Sequence, residues 1–141
     1  MTPEDNIKIA QKAYADFSRG DIAGVLAALD EQIEWKTPES VGMPASGTQK
    51  GKDGVAGFFK SVGETWDFQA FEPREFIASG DVLAVEGYYR AKARKTGMVA
   101  ESPWVMVWRF RNGKCIHFQE YTDSAVLERA LTGRIATGVA G

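Results

Sequence analysis

Apolar residues recur at three- and four-residue intervals through the amino-terminal third and alternate with polar ones through the second half. The chain therefore predicts helices first and a sheet afterwards. Ile7, Ala10, Tyr14 and Phe17 form one helical stripe. Thr2, Pro3 and Asp5 supply its N-cap, first helical residue and capping partner, and Gly20 the left-handed residue that closes it. Asp21 caps a second, shorter helix that turns Val25, Leu26 and Leu29 inward. Residues 33–37 read as a strand that Pro38 interrupts. Residues 38–51, rich in Gly, Ser and Pro, predict a mobile loop with Val41 and Met43 against the rim of a pocket. Asp53 caps a third helix whose stripe of Val55, Phe58, Phe59, Val62 and Trp66 is broad enough to cover one side of a sheet.

Four strands follow, at 68–78, 82–94, 98–110 and 115–122, separated by turn signals at Ser79-Gly80-Asp81, Lys95-Thr96-Gly97 and Asn112-Gly113. Such a succession implies an antiparallel meander. Asp123 caps a last helix through Leu131, and the small residues of 132–141 predict a flexible tail after a single domain spanning 1–131.

Strand alternation sorts side chains by face. Trp104, Met106, Trp108 and Phe110 share one side, while Val105 and Val107 place apolar surface on the other. One side can be covered by the helices, but the chain has too few of them for both. A homodimer through the sheet is the economical answer. Leu83, Val85, Gly87 and Tyr89 face the cavity by the same rule, with Glu86, Tyr88, Arg90 and Lys92 opposite. Gly87, between large neighbours, opens space or marks a bulge. In the final strand Ile116, Phe118, Glu120 and Thr122 share the inner face, with Cys115, His117, Gln119 and Tyr121 opposite. Glu120 thus follows apolar residues inward. Burial there raises a carboxyl pKa and makes Glu120 a candidate general acid or base, beside the structural reading in which it reaches solvent or pairs with an Arg.

Composition narrows the functions. A length of 141 residues suits one domain with a continuous core, and a net charge of −2 gives no basic surface for nucleic acid. One cysteine, Cys115, and one histidine, His117, exclude an intrachain disulfide and most metal sites. No apolar run reaches the roughly 18 residues of a membrane span, and the first residues lack the basic start of a signal peptide, so the expected location is the cytoplasm. Neither a glycine-rich phosphate loop after a strand nor a metal-ligand set is present, and no cofactor is implied.

Several short segments together resemble the SnoaL-like and ketosteroid isomerase-like proteins of the nuclear transport factor 2-like superfamily. They are Tyr14 to Phe17 with Arg19-Gly20-Asp21, Ile33-Glu34-Trp35, and Gly51-Lys52-Asp53-Gly54-Val55, followed by Trp104 to Arg111, Asn112-Gly113-Lys114 and Phe118-Gln119-Glu120-Tyr121-Thr122-Asp123. The resemblance covers roughly residues 5 to 131 and rests on their order and spacing. It implies an α+β fold, a cone-shaped α+β barrel with amino-terminal helices packed on a strongly curved, mainly antiparallel sheet around an apolar pocket.

Ketosteroid isomerase itself combines an Asp base with an oxyanion hole of Tyr and protonated Asp. Its tyrosine position falls on Ala13, one residue and about 100° around the helix from Tyr14. The two aspartate positions fall on Thr37, before Pro38, and at about Met106, so this isomerisation is disfavoured. In SnoaL-type polyketide cyclases the resemblance implies an acid in the cavity serving ring closure. Glu120 matches it best, while Asp123, the other acid of the signature, reads as a helix cap. The Asp-Arg-Asp set of the superfamily's epoxide hydrolases has no counterpart.

The expected site therefore has Glu120 as proton carrier. Its ligand-contacting residues are Tyr14, Trp35, Thr37, Phe58, Trp66, Tyr89, Trp104, Met106, Trp108 and Phe118, around a small hydrophobic carbonyl compound. The tryptophans can equally serve as core, and His117, of opposite parity to Glu120, reads as a sheet-face or dimer-interface residue. An acid–base isomerase or cyclase, a binding module without chemistry and a protein-association domain all remain open.

Overall fold

The computed structural model describes residues 1–134; of the expected tail, 135–141 lie outside the described residues. Helix α1 (Pro3–Ser18) opens with the expected capping box: Thr2 accepts from the Asp5 amide, and the Asp5 side chain accepts from the Thr2 amide. Gly20 follows at φ 76°. Asp21 caps α2 (Ile22–Ala27). Then come β1 (Leu29–Lys36), β2 (Thr48–Lys50), α3 (Gly51–Thr65), β3 (Trp66–Ser79), β4 (Val82–Ala93), β5 (Val99–Arg111), β6 (Lys114–Thr122) and α4 (Ser124–Thr132), the last capped by Asp123 and closed by Gly133.

The six strands form one curved, unclosed sheet in the order β2-β1-β6-β5-β4-β3. The predicted meander runs antiparallel from β3 to β6; β1 then lies parallel to β6 and antiparallel to β2. Two register shifts in β3, between Phe68 and Ala70 and between Pro73 and Glu75, bend that long edge strand as bulges do. Helices α1 and α3 pack on one face of the sheet, completing a cone-shaped α+β fold. The main core joins Ala10, Tyr14, Val55 and Phe58 of these helices to Ile33, Val85, Trp108 and Phe118 of the sheet. A smaller cluster lies where α4 sets Ala130 and Leu131 against Trp66, Ala91, Ala93 and Ala100; the alanines leave room for the helix to approach.

Several expectations need correction. Leu29 is the first residue of β1, not part of the second helix, because α2 ends at Ala27, Ala28 caps it, and the chain extends from there. Within the expected loop, 48–50 pairs with β1 as β2, and Val41 is 66% exposed, leaving Met43 alone of the two packed against the core. Asp53 lies within the first turn of α3; the N-cap is Lys50, without a side-chain bond. Trp66 starts β3 and belongs to the smaller cluster. Cys115 is fully buried in the main core, on the same side as Phe118, because the ladder shifts register between Arg109 and Phe110 and passes over Ile116.

Candidate functional site

The cavity lies between the helices and the inner face of the sheet, and the sequence explains why its wall is aromatic. In β5, burial alternates without a break, turning Trp104, Met106 and Trp108 inward. Trp35 from β1 stacks on Phe118 of β6, ring centroids 3.7 Å apart and 9° from parallel. Tyr14 from α1 and Phe58 from α3 close the helical side. The space among them unoccupied by protein atoms is about 560 Å³, its open mouth included.

A second lobe, about 500 Å³ counted the same way, lies beneath the loop at 38–46 and against α4, walled by Pro38, Met43, Trp66, Ala91 and Leu127. Six residues line both lobes: Thr37, Phe58, Val62, Phe68, Tyr89 and Glu120. They form a collar contributed by the end of β1, α3, β3, β4 and β6.

Glu120 is half-buried at this collar, opposite Met106 in the ladder. The surrounding apolar wall pushes its pKa up from the ordinary 4.5 to about 7; the hydrogen bond from Tyr89 works in the other direction and is the smaller effect. The Tyr89 hydroxyl stands 3.2 Å from Glu120 Oε2 and 2.8 Å from Thr122 Oγ1. A phenol has one proton, so Tyr89 donates to the carboxylate or to Thr122, but not to both fully. Burial, followed by the Glu120 charge, pushes the Tyr89 pKa far up, and the phenol stays neutral. Behind it Thr122 Oγ1 lies 3.1 Å from Ser102 Oγ, which accepts from the Asp123 amide at 3.1 Å. This chain ties the collar to the start of α4.

Tyr14 is committed elsewhere. Its hydroxyl donates to Met106 Sδ at 3.3 Å and accepts from Trp108 Nε1 at 3.0 Å, and burial pushes its pKa far up as well. Trp35 Nε1 is buried without a hydrogen-bond partner. Thr37 Oγ1 lies 3.5 Å from the Gly47 carbonyl.

Of the expected ligand-contacting residues, the structure brings Tyr14, Trp35, Thr37, Phe58, Tyr89, Met106, Trp108 and Phe118 together around the first lobe with Glu120. Trp66 lines only the second. Trp104 lines neither; it lies behind the wall, stacked on Phe71 at 5.3 Å and on Tyr14 at 5.9 Å. Gly87 makes room for it, since a Cβ there would lie 2.3 Å from Trp104 Cζ2. His117 lies on the opposite side of the sheet from Glu120, its Nε2 3.5 Å from Glu34 Oε1. Asp123 caps α4 and stays exposed.

The sequence reading omitted Phe17, Phe59, Phe68 and Phe71 from the site, although all four line the first lobe. Phe17 and Phe59 were legible as members of their helical stripes. Phe68 and Phe71 have opposite parity and both face inward only because of the bulge between them. Among the described residues no group of three or more His, Cys, Asp or Glu side chains is placed to hold a metal, and no helix is long and apolar enough to cross a membrane.

Comparison with known proteins agrees with this architecture. The SnoaL-like domain family matches residues 10–118. An NTF2-like protein from Burkholderia xenovorans LB400 is 31% identical, with 93% of this chain and 98% of that one aligned at a TM-score of 0.84. An NTF2-like protein of unknown function from Burkholderia pseudomallei K96243 is 34% identical over 94% of this chain and 99% of that one, with a TM-score of 0.83. TerC, co-crystallised with polyporic acid, is 28% identical over 91% of this chain and 98% of that one, with a TM-score of 0.82. No curated protein matches the chain.

Proposed function

The chain belongs to the SnoaL-like family of NTF2-like proteins, and from that premise we propose that it binds a small, largely apolar carbonyl compound and moves a proton on it with Glu120. The observation that carries this reading is the placement of one carboxyl, raised to about 7, in a wall made, apart from Thr37, of aromatic and aliphatic side chains. Near neutral pH such a group is present as both acid and base, the condition under which proton transfer in both directions is efficient. As carboxylate, Glu120 takes a proton from carbon next to the carbonyl; as acid it returns the proton to another atom. The outcome is an isomerisation if the proton returns to carbon. It is a ring closure if the enolate carbon first bonds to a second carbonyl and the proton goes to the resulting alkoxide. Tyr89, neutral and 3.2 Å away, holds the carboxylate in place. Thr37 and Met106 shape the pocket and carry no proton from carbon. The co-crystallisation of TerC with polyporic acid supports a small organic ligand for this scaffold.

A binding module without chemistry is the second reading. Its support is specific: at the position expected for a carbonyl-polarising tyrosine the chain has Ala13, and the hydroxyl of neighbouring Tyr14 is already engaged with Met106 and Trp108.

The test begins with a thermal-shift screen of steroids, aromatic polyketides and polyporic acid, since a ligand at 100 times its dissociation constant stabilises by about 2.7 kcal/mol. With a hit in hand, Glu120→Gln is expected to abolish turnover while keeping binding. Unchanged turnover would remove Glu120 from the mechanism. Equal binding by wild type and variant with product from neither would favour the binding module.

A further inference from the structure

Glu120 and Tyr89 stand between two cavities, not at the blind end of one. A ligand carrying its polar group at one tip would fill a single lobe and leave the other's apolar wall wet, forgoing the gain from burying it. The first lobe offers flat rings, among them Phe17, Trp35, Phe71 and Trp108. The second, joined to it at the collar, is a mostly apolar chamber closed by Met43, Trp66 and Leu127, with Ser40 and Ser46 of the loop also in its lining. The collar between them bears the cavity's ionisable carboxyl and a hydroxyl.

Building on the carbonyl-ligand reading, we propose that the site is specific for two-armed compounds: a central enolisable carbonyl or enol, held at the Glu120 carboxyl that Tyr89 orients, with an aromatic arm in the first lobe and a second apolar arm in the lobe beneath the 38–46 loop. The centre is selected by hydrogen bonding at the collar. The two arms are selected by burial alone, so the specificity lies in the number of arms as much as in the headgroup.

Two β-diketones sharing the same centre separate these terms. Dibenzoylmethane carries a phenyl on each side; benzoylacetone carries a phenyl on one and a methyl on the other. Titrations by tryptophan fluorescence or calorimetry against the wild-type chain are expected to show dibenzoylmethane binding about tenfold tighter or more, the gain from burying a second ring. Leu127→Trp fills the second lobe from α4, a half-buried position that touches only that lobe. It is expected to weaken dibenzoylmethane by about tenfold and leave benzoylacetone within about twofold. A melting curve reports whether the variant is folded, and the wild-type comparison stands without it.

Equal wild-type affinity for the two compounds, or equal loss of both in a folded Leu127→Trp, would overturn the two-armed proposal while leaving the carbonyl-ligand reading intact. Binding of neither would bring down both.

Discussion

The surroundings of Glu120 keep water from its carboxylate and offer the charged form only the Tyr89 hydroxyl in return. The consequence for stability follows from linkage. In the unfolded chain this carboxyl titrates near 4.5, and in the folded protein near 7. Between those values the folded state holds more protons at this group, so the contribution of Glu120 to stability is greatest below about 4.5 and declines as pH rises through 7. At about 1.4 kcal/mol per unit, and allowing for a carboxyl that is only half-buried, the decline is on the order of 2–3 kcal/mol. Glu120→Gln has no charge to desolvate. Urea unfolding at pH 5 and pH 8 should therefore find the variant gaining on wild type by about that amount at the higher pH. Parallel behaviour of the two proteins would mean that the carboxyl is hydrated in the native state, and its role as a neutral-pH acid would lose its physical basis.

Among the elements, the long strands β3, β4 and β5 define how much space the site has. Gly87 is the point of closest approach: a Cβ there would meet Trp104 Cζ2 at 2.3 Å and the Glu72 carbonyl of β3 at 2.6 Å. The indole is already stacked on Tyr14 and Phe71, and the carbonyl is backbone in a paired strand. Gly87→Ala is expected to destabilise by about 1–3 kcal/mol, as overpacking does. Denaturant unfolding measures it, and a variant as stable as wild type would show that β3 and Trp104 yield freely. That Gly87 matters was legible from its large neighbours in an alternating strand. Helix α1, the meander and the inward turn of Glu120 were legible too, because capping chemistry and two-residue periodicity are local signals. What stayed hidden depends on register. Phe71 joins Phe68 inside, and Cys115 joins Phe118, only where a bulge breaks the alternation. The parallel pairing of β1 with β6 brings together segments some eighty residues apart and leaves no local trace. The division of the cavity into two lobes is likewise a product of the loop and α4 meeting the sheet.

For the molecule as a whole, the face of the sheet away from the helices is the unsettled surface. Among the described residues no helix covers it, and it exposes Val105 at the middle of β5, Tyr121 of β6 and Ile77 of β3. Several of its charges are paired within the chain: Tyr88 donates to Glu101 at 2.7 Å, Arg90 donates to Gln69 at 2.7 Å and lies 3.6 Å from Glu101, and Arg74 pairs with Glu72 at 2.8 Å, while Glu86, across the ladder from Val105, belongs to none of these pairs. A surface whose charges are already paired loses less on leaving water than one whose charges must find new partners. We propose a second copy of this chain as the occupant, since a two-fold axis lets one apolar patch cover its own equivalent. Light scattering on the eluting protein should then give twice the 15.5 kDa of one chain. Val105→Glu, which sets a second carboxylate beside Glu86, its partner across the β4–β5 ladder, at the desolvated centre of such an interface, should give the single-chain mass while the inward-facing cavity still binds its ligand. A wild-type protein that elutes as one chain at micromolar concentration would refute the dimer, and the apolar residues on this face would then need a different partner.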